Sequence, residues 1–178
     1  MVREGDEVSA VLPKAKKRSR NAEASADNEV TPSDLRAFAY RLLGRREYSV
    51  FELRQRLRQK WKGIEAIDVL ADELLEALVE ENLLSDERFV ESFIRSRINR
   101  YQGPLKIKAA LRDKGVSDGL VSLELEAHSD EWTDIATDWL SRNHSGPIDF
   151  DLKKKLYRRL ANRGFTHDQA MTAINRNM

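Results

Sequence analysis

Apolar residues recur at helical spacing along most of this chain. Leu53, Leu57 and Trp61 follow one another four residues apart, and three- and four-residue spacing also runs through 35–42. Such spacing places apolar side chains on one face of an α-helix. No stretch shows the sustained alternation of apolar and polar residues that is typical of a β-strand. We therefore predict an all-α protein.

The first part of this pattern predicts three helices. The first begins after Thr31, a residue type that caps helix N-termini, and the second covers 50–60 and is stopped by Lys62-Gly63. The third covers 65–81, and its buried stripe is predicted to be Ile67, Leu70, Leu74 and Leu78.

The pattern then occurs twice more. Basic helices end at a glycine followed by an apolar residue, at Gly63-Ile64, Gly115-Val116 and Gly164-Phe165. Aromatic-bearing helices are associated with Ser33-Asp34, Ser85-Asp86 and Ser129-Asp130, and Ser117 and Thr166 are predicted caps of later helices. These landmarks keep one order at a period of about fifty residues, which indicates a repeat protein. We predict three tandem three-helix units at 31–84, 85–128 and 129–178.

Units of this size bury their apolar faces against their neighbours, so we expect an elongated, curved array. The middle unit would contact both others. Residues 1–30 lack apolar periodicity and are rich in charged and small residues, which predicts a disordered tail.

The composition narrows the possible functions. The chain has 178 residues and no cysteine, which excludes disulfides, thiolate metal sites and cysteine nucleophiles. Neither a signal peptide nor a membrane-spanning apolar run is evident, so we expect a cytoplasmic protein without a membrane partner. We also expect a monomer. No glycine-rich phosphate loop occurs, and His128, His144 and His167 lack metal-ligand spacing. We predict no enzyme activity, no cofactor and no metal.

The formal net charge of +1 hides a strong alternation of sign along the chain. Residues 35–64 carry nine Lys or Arg and two acids, whereas 65–92 carry ten acids and one Arg. Residues 95–114 are again basic, 118–138 contain seven acids without a single base, and 142–163 are basic. The second helix of each unit therefore belongs to a basic stretch.

Equivalent helices of a repeat array line up along one surface, so the basic second helices should form a positive ridge. Such a ridge can follow a phosphate backbone or an acidic protein groove. Alternatively, the basic and acidic helices simply pair with each other. The residues predicted to make the contacts are Arg54, Arg58, Lys60, Lys106, Lys108, Arg112, Lys114, Lys154, Lys155, Arg158, Arg159 and Arg163. Trp61, Trp132 and Trp139 could stack on bases, but their spacing favours the core.

The middle of the chain closely resembles the central motif of the RecX family. The resemblance spans residues 33–175 and is looser in the third unit, while Asn82 and the extra Trp61-Lys62 depart from the family pattern. It is carried by Leu83-Leu84-Ser85-Asp86-Glu87-Arg88-Phe89, Phe93-Ile94, Arg97, Gly103, Ile107, Leu111 and Lys114-Gly115-Val116.

The resemblance implies a bacterial regulator of the RecA recombinase. RecX-like proteins are arrays of three-helix repeats that lodge in the groove of the RecA–DNA filament. They inhibit its ATPase, strand-exchange and co-protease activities, and they bind single- and double-stranded DNA. A second hypothesis is a sequence-specific DNA-binding transcriptional regulator, because a three-helix unit can also be a helix-turn-helix module. Its base-reading candidates would be Gln55, Gln59 and Asn162.

Overall fold

A computed structural model describes residues 30–178, in which all regular structure is α-helical. The predicted tail at 1–30 lies, apart from Val30, outside the described residues. The all-α prediction is confirmed for the rest. The helices of residues 30–178 are α1 (Pro32–Leu43), α2 (Val50–Lys60), α3 (Ile67–Glu80), α4 (Asp86–Ile98), α5 (Pro104–Arg112), α6 (Asp118–Glu126), α7 (Trp132–Asn143), α8 (Phe150–Arg163) and α9 (His167–Arg176).

Hydroxyl side chains begin several of these helices, because an oxygen at the N-cap accepts a backbone N–H that has no partner inside the helix. Thr31 and Thr166 form capping boxes at α1 and α9, and Ser117 caps α6, as predicted. Ser129-Asp130 precedes α7 but does not cap it. The N-cap of α7 is Glu131, which makes no side-chain capping bond.

The buried apolar side chains form three clusters. The first lies among α1, α2 and α3, the second among α4, α5 and α6, and the third among α7, α8 and α9. Trp132 is an exception, since it belongs to α7 but packs in the second cluster. Its indole N–H donates to the carbonyl of Leu125 over 3.3 Å. The chain thus folds as a three-helix repeat array, and our boundaries at 84 and 128 stay a prediction.

The predicted stripe of α3 is partly wrong. Ile67 and Leu78 are buried as expected, but the buried positions between them are Ala71 and Leu75. Leu70 and Leu74, which were predicted to be buried, are only partly buried. The reason is that α3 packs more extensively on α2 than on α1, which turns its buried face towards α2.

The tryptophans are packed as predicted. Trp132 and Trp139 are 3% and 5% exposed. Trp61 meets Phe38 edge to face, with ring centroids 5.3 Å apart. Asn82 has a positive φ of 56°, so it takes the left-handed conformation that asparagine tolerates.

Candidate nucleic-acid and protein interface

The second helices, α2, α5 and α8, meet end to end. The C-terminus of α5 lies against the N-terminus of α2, where the Ser49 hydroxyl donates to the carbonyl of Lys114 over 2.8 Å. The C-terminus of α8 lies in the same way against α5. There the Gly103 N–H donates to the Arg163 carbonyl (2.8 Å), and the Leu105 N–H donates to the Gly164 carbonyl (3.0 Å). We call this arrangement the helix row.

The helix row has a simple physical basis. The first N–H groups and the last C=O groups of a helix have no partner inside it. Carbonyls at the end of α8 accept from N–H groups at the start of α5, and the Lys114 carbonyl after α5 accepts from the Ser49 hydroxyl at the start of α2. The partial negative charge at a helix C-terminus also meets the partial positive charge at an N-terminus, which is favourable.

Two glycines permit the close approach between α8 and α5. A side chain at Gly103 would collide with the backbone of Gly164 and Phe165, and one at Gly164 would collide with Lys106. Gly164 also has a φ of 90°, which L side chains rarely adopt. At the other junction, Gly115 lies against the ring of Phe51 at a φ of 69°.

A polar cluster stabilises the junction between α2 and α5. The Glu52 carboxylate accepts from Lys114 Nζ (2.6 Å) and from Arg46 Nη1 (2.9 Å), and its side chain is only 14% exposed. Burial acts to raise the pKa of Glu52, but the hydrogen bonds from Arg46 and Lys114 outweigh it and hold the pKa below its usual value. Asp86 accepts from the Val50 N–H over 2.9 Å, and burial raises the pKa of its carboxyl.

Lys114 and Arg163 are predicted contact residues that lie in these junctions, and a third, Lys106, is described with α5 below. Lys114 pairs with Glu52, as described above. Arg163 donates to the carbonyls of Arg100 (3.1 Å) and Tyr101 (3.2 Å), and its guanidinium lies 4.6 Å from the ring centroid of Trp139. Both cations therefore join neighbouring units, and a role for them in binding stays a prediction.

Two of the four cations of α2 are paired with α3, while Arg56 is exposed and forms no ion pair within residues 30–178. Arg54 pairs with Asp72 at 2.9 Å, and Arg58 pairs with Asp68 at 2.6 Å. Lys60 is exposed and lies 5.9 Å from the ring centroid of Trp61. The alternative in which basic and acidic helices pair thus describes much of the first unit.

The cations of α5 are partly paired. Arg112 lies 3.7 Å from Asp118, and both side chains are 66% exposed, so this ion pair is weak. Lys108 Nζ donates to Ser122 Oγ (3.2 Å). Lys106 Nζ donates to the Asn162 carbonyl of α8 over 3.4 Å.

The cations of α8 differ from those of α2 and α5. Within residues 30–178, none of the five bases from 153 to 159 forms an ion pair, and they are Lys153, Lys154, Lys155, Arg158 and Arg159. The reason lies in the third helices. α3 and α6 are rich in acids, whereas α9 contains one, Asp168. We call Lys154, Lys155, Arg158 and Arg159, which are all exposed, the α8 basic face.

Phe150 adjoins the α8 basic face and was not among the predicted contact residues. It is the first residue of α8, and its side chain is 72% exposed. Lys154 Nζ lies 4.0 Å from its ring centroid. The pattern that could have found it is an aromatic followed by bases at i+4 and i+8, Lys154 and Arg158.

The structure shows no group of His, Asp or Glu suited to a metal among residues 30–178. No helix in the same range is long and apolar enough to cross a membrane.

Family models and curated relatives match the sequence of this chain. Residues 36–74 match a model described as RecX, first three-helix domain, and residues 85–123 match one described as RecX, second three-helix domain. The regulatory protein RecX of Chromohalobacter salexigens is 41% identical over 147 residues, covering 82% of this chain and 92% of that protein. The regulatory protein RecX of Halorhodospira halophila is 37% identical over 154 residues, covering 85% and 91%.

A solved structure shares the fold. The crystal structure of RecX from Lactobacillus salivarius aligns with a TM-score of 0.69 and 22% identity, covering 82% of this chain and 95% of that one. A second structure, described as regulatory protein RecX, aligns with a TM-score of 0.64 and 20% identity. At these identities the structures support the fold, while the sequence relatives and family models identify the family. This chain belongs to the RecX family of regulatory proteins.

Proposed function

We propose that this protein binds along the groove of the RecA–DNA filament and inhibits the ATPase, strand-exchange and co-protease activities of RecA. Regulation of RecA, and with it a part in DNA repair and recombination, follows from membership of the RecX family. In the proposed mechanism the helix row occupies the groove. Its basic side chains meet acidic RecA surface and the phosphates of the bound DNA.

The α8 basic face is the observation that carries this proposal. A cation already paired with a carboxylate must give up that partner to bind another anion, and it gains little by the exchange. Among residues 30–178, the four cations of the α8 basic face have no carboxylate partner to lose. They can bind phosphates or acidic side chains without first breaking an ion pair, so we assign α8 the main share of the binding.

The helix row supports groove binding rather than a contact at one point. At 1.5 Å of rise per residue, the three helices add up to roughly 50 Å. Such a length is suited to contacts on more than one RecA protomer. The junction contacts of Gly103, Gly164 and Ser49 would keep α2, α5 and α8 at fixed spacing.

A second candidate is sequence-specific DNA binding. Gln55 and Gln59 are exposed four residues apart on α2, where amides could reach base edges. A sequence reader would prefer one duplex sequence over unrelated ones at fixed salt. Phosphate contact would instead bind unrelated sequences equally and weaken steeply as salt rises.

The proposed function is tested by co-sedimentation with RecA assembled on single-stranded DNA. The protein should be retained more strongly by the filament than by the same DNA alone, and it should lower the rate of ATP hydrolysis by RecA. Retention on naked DNA with no added binding from the filament would contradict the proposal.

The proposal also covers the location of the protein, its oligomeric state and its lack of catalysis. We place the protein in the cytoplasm as a monomer that acts by binding and carries no catalytic site of its own. The curated relatives named above are regulatory proteins, which supports a non-enzymatic role.

A further inference from the structure

We propose that Phe150 stacks on a base of single-stranded DNA, while Lys154 and Arg158 hold the adjoining phosphates. This inference deepens the proposed function and rests on its assignment of DNA phosphates to the α8 basic face. It adds a contact that a duplex cannot make, because the bases of a duplex are already stacked on each other.

The first support is the exposure of the ring. A phenylalanine normally contributes to stability through burial, but Phe150 is 72% exposed. The helix start does not require it, since α8 is capped by Asp149, whose Oδ1 accepts from the Leu152 N–H over 2.7 Å. Lys154 lies over one face of the ring, while the rest of the ring is exposed to a ligand and is not needed to cap the helix.

The second support is the groove beside the ring. Its volume is about 430 Å³, which lies within the usual range of small-ligand pockets, about 300–1,000 Å³. The lining combines aromatic, aliphatic and basic side chains without a carboxylate, and it consists of Phe150, Lys153, Lys154, Tyr157, Arg158 and Met171. An apolar floor rimmed by cations fits a flat base joined to a phosphate.

The third support is the geometry along α8. Phe150, Lys154 and Arg158 follow one another four residues apart, which places them in one row on the helix surface. Lys154 Nζ already lies 4.0 Å from the ring centroid, so a cation and the aromatic surface occupy one site. Aromatic side chains beside a positive groove are the usual means of binding single strands without sequence preference.

Among exposed apolar residues, Leu123 on α6 provides a matched control. Its side chain is 68% exposed, close to the value for Phe150. It lies instead on an acidic helix, where the neighbouring charges repel phosphate.

The test compares the binding of three labelled DNAs at one salt concentration, measured by fluorescence anisotropy. The DNAs are an oligothymidine strand, an abasic strand with the same number of phosphates, and a blunt duplex. The wild-type protein should bind oligothymidine about tenfold more tightly than the abasic strand, the gain expected from one stacked base. Phe150→Ala should abolish that difference and leave duplex binding unchanged.

Two further variants complete the test. Phe150→Trp should keep the preference for bases, and Leu123→Ala should match the wild type on all three DNAs. A Phe150→Ala protein that still prefers oligothymidine tenfold would overturn the stacking site. Equal wild-type binding to all three DNAs would overturn the stacking site but leave the phosphate contact standing. Failure to bind any of them would overturn both the stacking site and the DNA contact of the proposed function.

Discussion

Ser49 shows how one side chain can join two units. It is fully buried, and its Oγ accepts from the Glu52 N–H over 3.0 Å while donating to the Lys114 carbonyl over 2.8 Å. One hydroxyl thus caps α2 and ties it to α5. An exposed cap such as Ser117 makes only the first kind of bond.

Replacing Ser49 should therefore cost more than replacing an exposed cap. We expect Ser49→Ala to lower the free energy of unfolding by about 2 kcal/mol, since it removes a cap and leaves the partly buried Lys114 carbonyl without its donor. Ser117→Ala should cost about 1 kcal/mol. Urea denaturation of both variants measures the difference. Equal losses would show that the bond to Lys114 adds nothing to stability.

Glu52 should make the junction sensitive to acid. Its pKa in the folded protein lies below that of the unfolded chain, about 4.3, so the ionised carboxylate stabilises the fold above that pH. The contribution is lost as the pH falls through the folded-state pKa. We expect Glu52→Gln to lower the free energy of unfolding by about 1–2 kcal/mol at pH 7. Below the folded-state pKa the difference from the wild type should shrink towards zero.

Denaturant titrations of the wild type and Glu52→Gln across this pH range give the measurement. Asp86 has the opposite sign, since its raised pKa favours the folded state at low pH, but it is present in both proteins and largely cancels. Glu91→Gln, which removes an exposed pair with Arg95, is the control and should cost at most about 0.5 kcal/mol. A loss for Glu52→Gln that is constant with pH would contradict the role given to its charge.

At the residue scale the sequence predicts which side chains are buried better than it predicts which side chains pair with each other. Leu53, Leu57 and Leu111 are buried as periodicity predicts, because periodicity reports which face of a helix is apolar. The charge pattern placed Lys114 on a contact surface but did not indicate that its amino group binds Glu52, 62 positions earlier in the chain. Such a pairing depends on how the units meet, which no local pattern contains.

At the scale of helices, most ends were predictable because capping is local. The predicted second helix at 50–60 agrees with α2, and the third, predicted at 65–81, is observed at Ile67–Glu80. The junctions of the helix row could not be predicted from the sequence. Gly115 and Gly164 were recognised only as helix stops, whereas each also admits the neighbouring unit at close range.

The junction between α5 and α8 offers a direct test of that second role. We expect Gly103→Ala to destabilise the protein by about 1–3 kcal/mol, because the added methyl group collides with the backbone at Gly164 and Phe165. The Leu105 amide, which donates to Gly164, should also exchange its hydrogen faster. Both effects are measurable by urea denaturation and hydrogen exchange.

Gly119→Ala is the matched control for this change. Gly119 lies in α6 with nothing within 4 Å of the added carbon, so alanine should be neutral or stabilise by up to about 1 kcal/mol. If Gly103→Ala behaves like Gly119→Ala, the close contact of α5 with α8 does not contribute to stability.

For the whole molecule, the distribution of charged residues says more about the binding surface than the net charge does. The alternation along the sequence predicted a ridge of three equivalent basic helices, but the structure shows that they are not equivalent. Arg54 and Arg58 are paired with acids of α3, whereas the α8 basic face is unpaired within residues 30–178. The difference was present in the sequence as the single acid of α9. Its consequence required knowing which helices pack together.

We propose the α8 basic face as the main contact with the RecA–DNA filament. The most direct measurement is quantitative co-sedimentation of Lys154→Glu/Arg158→Glu with RecA filaments on single-stranded DNA. The control, Arg41→Glu/Arg95→Glu, makes the same change in net charge on the first helices of two units, α1 and α4. Circular dichroism establishes that each variant is folded.

We expect the α8 variant to bind the filament at least tenfold more weakly than the wild type, a loss of about 1.4 kcal/mol or more. The control should stay within about threefold of the wild type, since a long-range effect of net charge is screened over about 10 Å at 0.1 M salt. A folded α8 variant that binds filaments as tightly as the control would contradict the account.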